Sequence, residues 1–229
     1  MHTKTTNKLR NPLTFLLLFS LVFVRYCYYG FRYFYQLDDY IQYHNYAYFA
    51  KHFAKHVPDL ITNMGLLQAR PAAGVADLLI WSKLFAVMLA AVAVISLMYV
   101  GAAMLLHGVF SRHFRVGWIF YAVFCLLPLG IEGTYWVSAS TRIVCGLFFV
   151  ALGAWLLQKY FDGARWYALL GALALQLLGS CFYEQVLVFS VALFFVLGIL
   201  NRKNAGKKCL WSGFAVVNAL LYLLLTALA

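Results

Sequence analysis

The sequence of 229 residues has few charges, and acidic residues are the scarcest among them. Only 11% of its residues are charged, and Asp and Glu together number 7. A soluble globular domain carries roughly 25% charged residues, so this chain has too little polar surface to coat a water-soluble particle. Hydrophobic residues make up 65% of the chain, and the mean hydropathy is +0.81. The composition therefore predicts an integral membrane protein.

Three further observations exclude other classes of protein. The cysteines are scattered singly without a CxxC pair, so no disulfide framework is indicated. The apolar runs, such as residues 84–100, do not alternate with polar residues as the strands of a membrane barrel do. The net charge is +11, but the basic residues form short clusters between apolar runs. Membrane topology places basic clusters there, so we expect no nucleic-acid partner.

Apolar runs of about 20 residues match the thickness of a bilayer, and helices satisfy their own backbone in lipid. The sequence predicts one all-α membrane domain, residues 1–229, with about seven spans at residues 12–35, 78–106, 116–132, 137–158, 166–182, 185–200 and 209–229. No cleavage site follows the first apolar run, which predicts an uncleaved helix. The chain ends inside an apolar run, so we expect a fragment of a longer protein.

The positions of Lys and Arg predict which side of the membrane each loop faces. Under the seven-span arrangement, the basic clusters fall on one side, at the N-terminus and around residues 112–115, 159–165 and 201–208. Positive residues favour the cytoplasm, which places the N-terminus there. Every acidic residue except Asp162 falls on the other side, in the outer loop 36–77, which we expect to carry interfacial helices, or in two short turns. Topology hardly acts on acids, so this bias points to a functional site.

Asp38 and Asp39 are adjacent and follow the first predicted span. Two neighbouring carboxylates repel each other, which favours neutralisation by a metal, another cation or a shared proton. A solvated helix end is the alternative, with the surrounding tyrosines forming an interfacial aromatic belt. Arg25 and Arg32 precede Asp39 at seven-residue steps, on one face of a continuous helix. They could receive a lipid phosphate, although Arg32 could also simply extend towards the interface.

Two more acids fall where outward helices turn back, Glu132 in one turn and Glu184 in the other. Both are candidate substrate-binding residues. For Glu132, a structural ion pair with Arg142 is the alternative. Glu184 has no basic neighbour in sequence, so it needs a partner from elsewhere or a raised pKa.

This pattern resembles the GT-C superfamily of polytopic glycosyltransferases, which use lipid-linked sugars. The similarity rests on the sequence Leu-Asp-Asp-Tyr at residues 37–40, the span layout, and the outer turns at 132–136 and 183–185. It implies transfer of a sugar from a polyprenyl-phosphate donor to a glycan, lipid or protein acceptor on the extracytoplasmic face. It also implies that Asp38 or Asp39 acts as general base or binds a divalent metal, Mg or Mn. A multi-pass protein of the bacterial plasma membrane is expected.

The chemistry of such a transfer needs a negatively charged group and a positively charged group. A carboxylate takes the proton of the acceptor hydroxyl, and positive charge stabilises the departing phosphate. Beside a metal, the basic residues that could face the phosphate are Arg25, Arg32, Lys51 and Arg142. A transporter of lipid-linked substrates and a non-catalytic membrane subunit remain alternatives. A transporter predicts polar residues through the depth of several spans, and a non-catalytic subunit would not need the acidic pair.

Overall fold

The computed structural model describes residues 6–27, 33, 35, 38–45, 47–48, 51–52, 70–126 and 136–228. Within these ranges the chain contains helices and turns and no strand, which confirms the all-α prediction. The main helices are α1 (Thr6–Tyr26), α2 (Pro71–Ala76), α3 (Met88–Phe110), α4 (Trp118–Tyr121), α5 (Val137–Phe161), α6 (Trp166–Ser180), α7 (Glu184–Ala205) and α8 (Phe214–Leu228). Residues 38–45 are also helical.

Several of these helices depart from regular α-helical geometry. Helix α2 begins at Pro71, a residue suited to the first helical position. It continues through a π-helical stretch, Asp77–Trp81, and a 3-10 turn, Phe85–Val87, before α3 begins. Helix α4 likewise runs into a π-helical stretch, Ala122–Leu126. The helical segment that leads into α3 therefore begins at Pro71, earlier than the predicted span, which begins at residue 78.

Three helical stretches are long and apolar enough to cross a membrane: Met88–Phe110, Val137–Phe161 and Glu184–Leu224, of 23, 25 and 41 residues. Two shorter apolar helices, Pro12–Tyr26 and Trp166–Ser180, accompany them. The first predicted span, residues 12–35, is too long, because Cys27, Tyr33 and Tyr35 are not helical. Aromatic residues prolong an apolar run whether or not the helix continues, which explains the overestimate.

The third of these stretches is a hairpin of two helices. Gln176 of α6 donates to the Ser190 hydroxyl of α7 and to the Ala215 carbonyl of α8, at 2.9 and 3.4 Å. A straight helix would separate positions 190 and 215 by about 37 Å at 1.5 Å per residue. The chain therefore reverses between α7 and α8, where Gly206 takes a positive φ of 55°. The reversal agrees with the separate apolar runs predicted at 185–200 and 209–229.

Helix α5 lies at the centre and packs against α3, α6 and α7. Small residues allow α5 and α6 to approach closely, as is common between membrane helices. A Cβ atom added to Gly179 would lie 2.7 Å from the carbonyl oxygen of Gly146, and one added to Gly146 would lie 2.8 Å from that of Gly179. This close packing holds the N-terminal end of α5 beside the C-terminal end of α6, where polar side chains gather.

The described acidic residues divide between the two ends of α5. Asp39 and Asp77 bond to residues of its first turns, and Arg70 pairs with Glu184 near the same end. Asp162 directly follows the last residue of α5 and pairs with Arg112. Because α5 has 25 residues, these two groups are about 37 Å apart along its axis. We call the end that carries Asp39 and Asp77 the acidic end.

Candidate functional site

Asp39 is a buried anchor at the acidic end. Its carboxylate is 1% exposed and accepts hydrogen bonds from the Tyr33 hydroxyl and from the backbone N–H of Ser138, the latter at 2.8 Å. The Val137 N–H donates in turn to the Tyr33 oxygen at 3.1 Å. The first N–H groups of a helix lack partners within it and attract negative charge. Asp39 and Tyr33 therefore tie the segment after α1 to the start of α5.

Tyr33 is suited to its role as a donor in this contact. Burial raises the pKa of its hydroxyl, and the neighbouring Asp39 carboxylate raises it further. The hydroxyl therefore stays protonated at neutral pH and can donate to Asp39 while accepting from Val137.

A second buried group lies beside this anchor. Asp77, 2% exposed, accepts hydrogen bonds from Gln42 at 3.0 Å and from Arg142 at 3.1 Å. Arg142 also donates to the Ser138 carbonyl at 2.5 Å. This ion pair connects the π-helical stretch after α2 to the first turns of α5. It differs from the alternative that pairs Arg142 with Glu132, which lies outside the described residues.

These contacts shape an open cleft of about 430 Å³ at the acidic end. Its wall includes one acidic, two basic and several hydrogen-bonding or aromatic side chains: Asp38, Arg70, Arg142, Gln42, Trp136 and Tyr183. Asp38 is exposed whereas Asp39 is buried, because consecutive residues of a helix point about 100° apart. Among the described residues no hydrogen bond occupies the Asp38 carboxylate. The cleft thus presents one accessible carboxylate and two guanidinium groups.

Arg70 makes two side-chain contacts at the cleft. Its guanidinium donates to both carboxylate oxygens of Glu184, at 2.8 and 2.6 Å, and lies 4.3 Å from the centre of the Tyr183 ring. The hydrogen bond to Glu184 raises the pKa of Arg70, so the group stays charged. The Ala72 N–H donates to the Cys181 carbonyl at 3.1 Å, which holds the start of α2 against the turn between α6 and α7.

The structure brings some of the site residues predicted from the sequence to the cleft and places others elsewhere. Asp38 and Arg142 line the cleft, Asp39 lies buried behind its wall, and Glu184 contacts it through Arg70. Arg25 donates to the Leu126 carbonyl at 2.8 Å. Lys51 is exposed, and neither it nor Arg25 belongs to the described cleft wall. Arg32 and Glu132 lie outside the described residues.

Sequence reasoning missed Arg70 and gave Asp77 no role beyond its place among the outer acids. Arg70 immediately precedes Pro71, the first residue of α2. The sequence offered one signal for Arg70. It is a basic residue directly before a proline that can start a helix, near the end of the predicted outer loop. Nothing in the sequence pairs Arg70 with Glu184, which is 114 residues away.

Among the described residues, the donor set of the cleft suits an anion better than a divalent metal. Both Asp39 oxygens accept hydrogen bonds from the protein, which leaves Asp38 as the accessible carboxylate, facing a wall that carries Arg70 and Arg142. Across the described residues, no group of three or more His, Cys, Asp or Glu side chains could hold a metal ion. Hard cations such as Mg²⁺ prefer several oxygen ligands, whereas the two arginines favour an anion.

Comparison with known proteins adds no relative: no family profile, no curated protein and no solved structure matches the chain.

Proposed function

We propose that the protein is a membrane glycosyltransferase of the GT-C type, which transfers a sugar from a polyprenyl-phosphate donor to an acceptor on the extracytoplasmic face. The observation that carries the proposal is the accessible Asp38 carboxylate in one cleft with Arg70 and Arg142. The transfer needs a base and positive charge together. The resemblance at residues 37–40 adds the substrate class.

The proposal places the acidic end outside the cytoplasm. In this arrangement the chain crosses the membrane about seven times, with its N-terminus in the cytoplasm. Arg112 and the cluster Arg202, Lys203, Lys207 and Lys208 belong to the opposite end of the bundle from Asp39. Basic residues at the end away from the cleft are what the positive-inside rule requires for a cleft that opens outward.

In the proposed reaction Asp38 accepts the proton of the acceptor hydroxyl. The acceptor oxygen then attacks the anomeric carbon of the sugar, and the bond from that carbon to the phosphate oxygen breaks. The electron pair leaves with the phosphate, whose charge Arg70 and Arg142 stabilise. Asp39 acts as a positioning residue, because its contacts with Tyr33 and Ser138 fix the helical turn that carries Asp38.

The test is transfer by the purified chain, reconstituted in liposomes with a panel of polyprenyl-phosphate hexoses and membrane-derived acceptors. Loss of a general base lowers the rate by about 10²–10⁴-fold, so Asp38→Asn is expected to lose nearly all transfer. Asp162→Asn is the matched control, since Asp162 lies at the other end of the bundle.

Full transfer by Asp38→Asn would contradict the proposed role of Asp38. Binding of polyprenyl phosphate with no turnover of any donor by the wild type would favour the alternatives, a non-catalytic subunit or a transporter that handles lipid-linked substrates.

A further inference from the structure

The Arg70–Glu184 ion pair lies at the wall of the cleft. Arg70 is part of the cleft wall. Its Nε and Nη2 atoms both donate to the carboxylate of Glu184. A phosphate presents oxygens to a guanidinium in the same forked geometry as a carboxylate. An anion that binds the Nε and Nη2 edge of the guanidinium therefore competes with Glu184 for the same donors.

This ion pair is accessible enough to exchange its partner. The side chains of Arg70 and Glu184 are 30% and 51% exposed, in contrast to the Arg142–Asp77 pair, at 16% and 3%. Water and salt screen an exposed ion pair, so such a pair adds little to the stability of the fold. Release of Glu184 also leaves its carboxylate in solvent rather than buried without a partner. Arg70 keeps its ring contact with Tyr183, 4.3 Å away, so its guanidinium remains positioned when Glu184 leaves.

An apolar groove of about 580 Å³ adjoins the cleft. Its wall includes Pro71, Leu79, Ile80, Phe149, Leu178 and Phe182. Pro71 directly follows Arg70, and Phe182 directly precedes Tyr183. The Ala72 N–H bonds to the Cys181 carbonyl, so the paired segments 70–72 and 181–183 contribute residues to both walls. A ligand that matches both surfaces carries an anionic head and a hydrocarbon chain.

We propose that Glu184 holds the Arg70 guanidinium until the phosphate of a lipid-linked ligand takes its place, with the adjoining hydrocarbon chain in the apolar groove. Glu184 thereby sets the affinity of the cleft for phosphate lipids. The inference rests on the proposed function for the kind of lipid, a polyprenyl phosphate. It concerns binding alone and is tested without any transfer reaction.

The test is a double-mutant cycle on binding of polyprenyl phosphate to the full chain in nanodiscs of phosphatidylcholine. Tryptophan fluorescence can report binding, since Trp136 lines the cleft. Glu184→Gln is expected to tighten binding roughly two- to fivefold, the factor that corresponds to an exposed ion pair. Arg70→Gln is expected to weaken binding about tenfold or more, because a charge-assisted hydrogen bond is lost. In the double variant, Glu184→Gln should no longer tighten binding, because the group that it frees is absent.

Two control ligands separate the head from the chain. Polyprenol lacks the phosphate and should respond to neither substitution, whereas inorganic phosphate lacks the chain and should bind far more weakly than polyprenyl phosphate. Should Arg70→Gln not be recovered folded, Arg70→Met takes its place in the cycle, since it keeps an extended side chain but removes the charge and every donor.

Equal tightening by Glu184→Gln with and without Arg70 would overturn the exchange, since it would reveal a general effect of negative charge. Unchanged affinity in Glu184→Gln, or no binding of polyprenyl phosphate, would overturn it as well. Transfer by wild type and its loss in Asp38→Asn would leave the proposed function standing in each of these cases.

Discussion

The Asp39 carboxylate accepts a hydrogen bond from the backbone N–H of Ser138, 99 residues later in the chain, at 2.8 Å. This bond gives the two adjacent aspartates opposite environments. Asp39 is buried against the start of α5, and Asp38, one residue earlier, stands exposed in the cleft. Substitutions of the two residues should therefore affect different properties of the protein.

Asp39→Ala is expected to destabilise the fold. It leaves the Ser138 N–H and the Tyr33 hydroxyl without the acceptor seen here, and an unsatisfied buried polar group costs about 1–3 kcal/mol. The free energy of unfolding can be measured in mixed micelles by titration with SDS. Asp38→Asn is the control and should unfold like the wild type, because its side chain is exposed. Equal loss of stability in both variants would contradict this division of roles.

The Arg142–Asp77 pair should matter far more for stability than the Arg112–Asp162 pair at the other end of the bundle. Arg142→Gln leaves the carboxylate of Asp77 buried with less compensation, and removal of one partner of a buried pair costs about 3–5 kcal/mol. The side chains of Arg112 and Asp162 are 45% and 34% exposed, so Arg112→Gln should cost about 0–1 kcal/mol.

The same SDS titration measures both variants. Similar costs for the two substitutions would indicate that the Arg142–Asp77 contact is screened by solvent. Asp77→Asn combined with Arg142→Gln should recover part of the loss, since neither charge then remains buried alone.

Labelling of single cysteines tests the proposed sidedness. In a variant whose five native cysteines are replaced, Lys51→Cys should react with a membrane-impermeant maleimide added to intact cells. Lys207→Cys should react only after the membrane is permeabilised, because the positive-inside rule places its cluster in the cytoplasm. Both positions are exposed, so burial does not confuse the readout. Labelling of both positions in intact cells would exclude the seven-span arrangement.

Local pattern was enough to predict several helices of the bundle, because an apolar run indicates a segment that partitions into lipid. The apolar runs at 137–158 and 166–182 correspond closely to Val137–Phe161 and Trp166–Ser180. Helix ends were harder to predict. The run at 12–35 continues past Tyr26, where the helix stops, since hydropathy does not distinguish a helical aromatic residue from one that packs after the helix has ended.

The candidate site was predictable only in part. Asp38, Arg142 and Glu184 were singled out by charge at the ends of apolar runs, and the structure places them in or beside one cleft. Arg25 is also a charged residue near the end of an apolar run, but it bonds to the Leu126 carbonyl. Arg70 was missed, since its partner Glu184 lies 114 residues away. No local pattern distinguishes a basic residue that bonds to a distant backbone carbonyl from one that lines a cleft.

Composition and the order of apolar and charged segments determined that this chain is a helical membrane protein whose described acids lie largely at one end. The membrane class follows from transfer of each apolar segment between water and lipid, which depends on local sequence alone. The distribution of the acids follows from their order among the apolar runs. Only the tertiary structure decided which aspartate of the adjacent pair is buried, which acid each arginine meets, and that the polar cleft adjoins an apolar groove. Those outcomes depend on helix rotation and on contacts between distant segments, and both arise from packing.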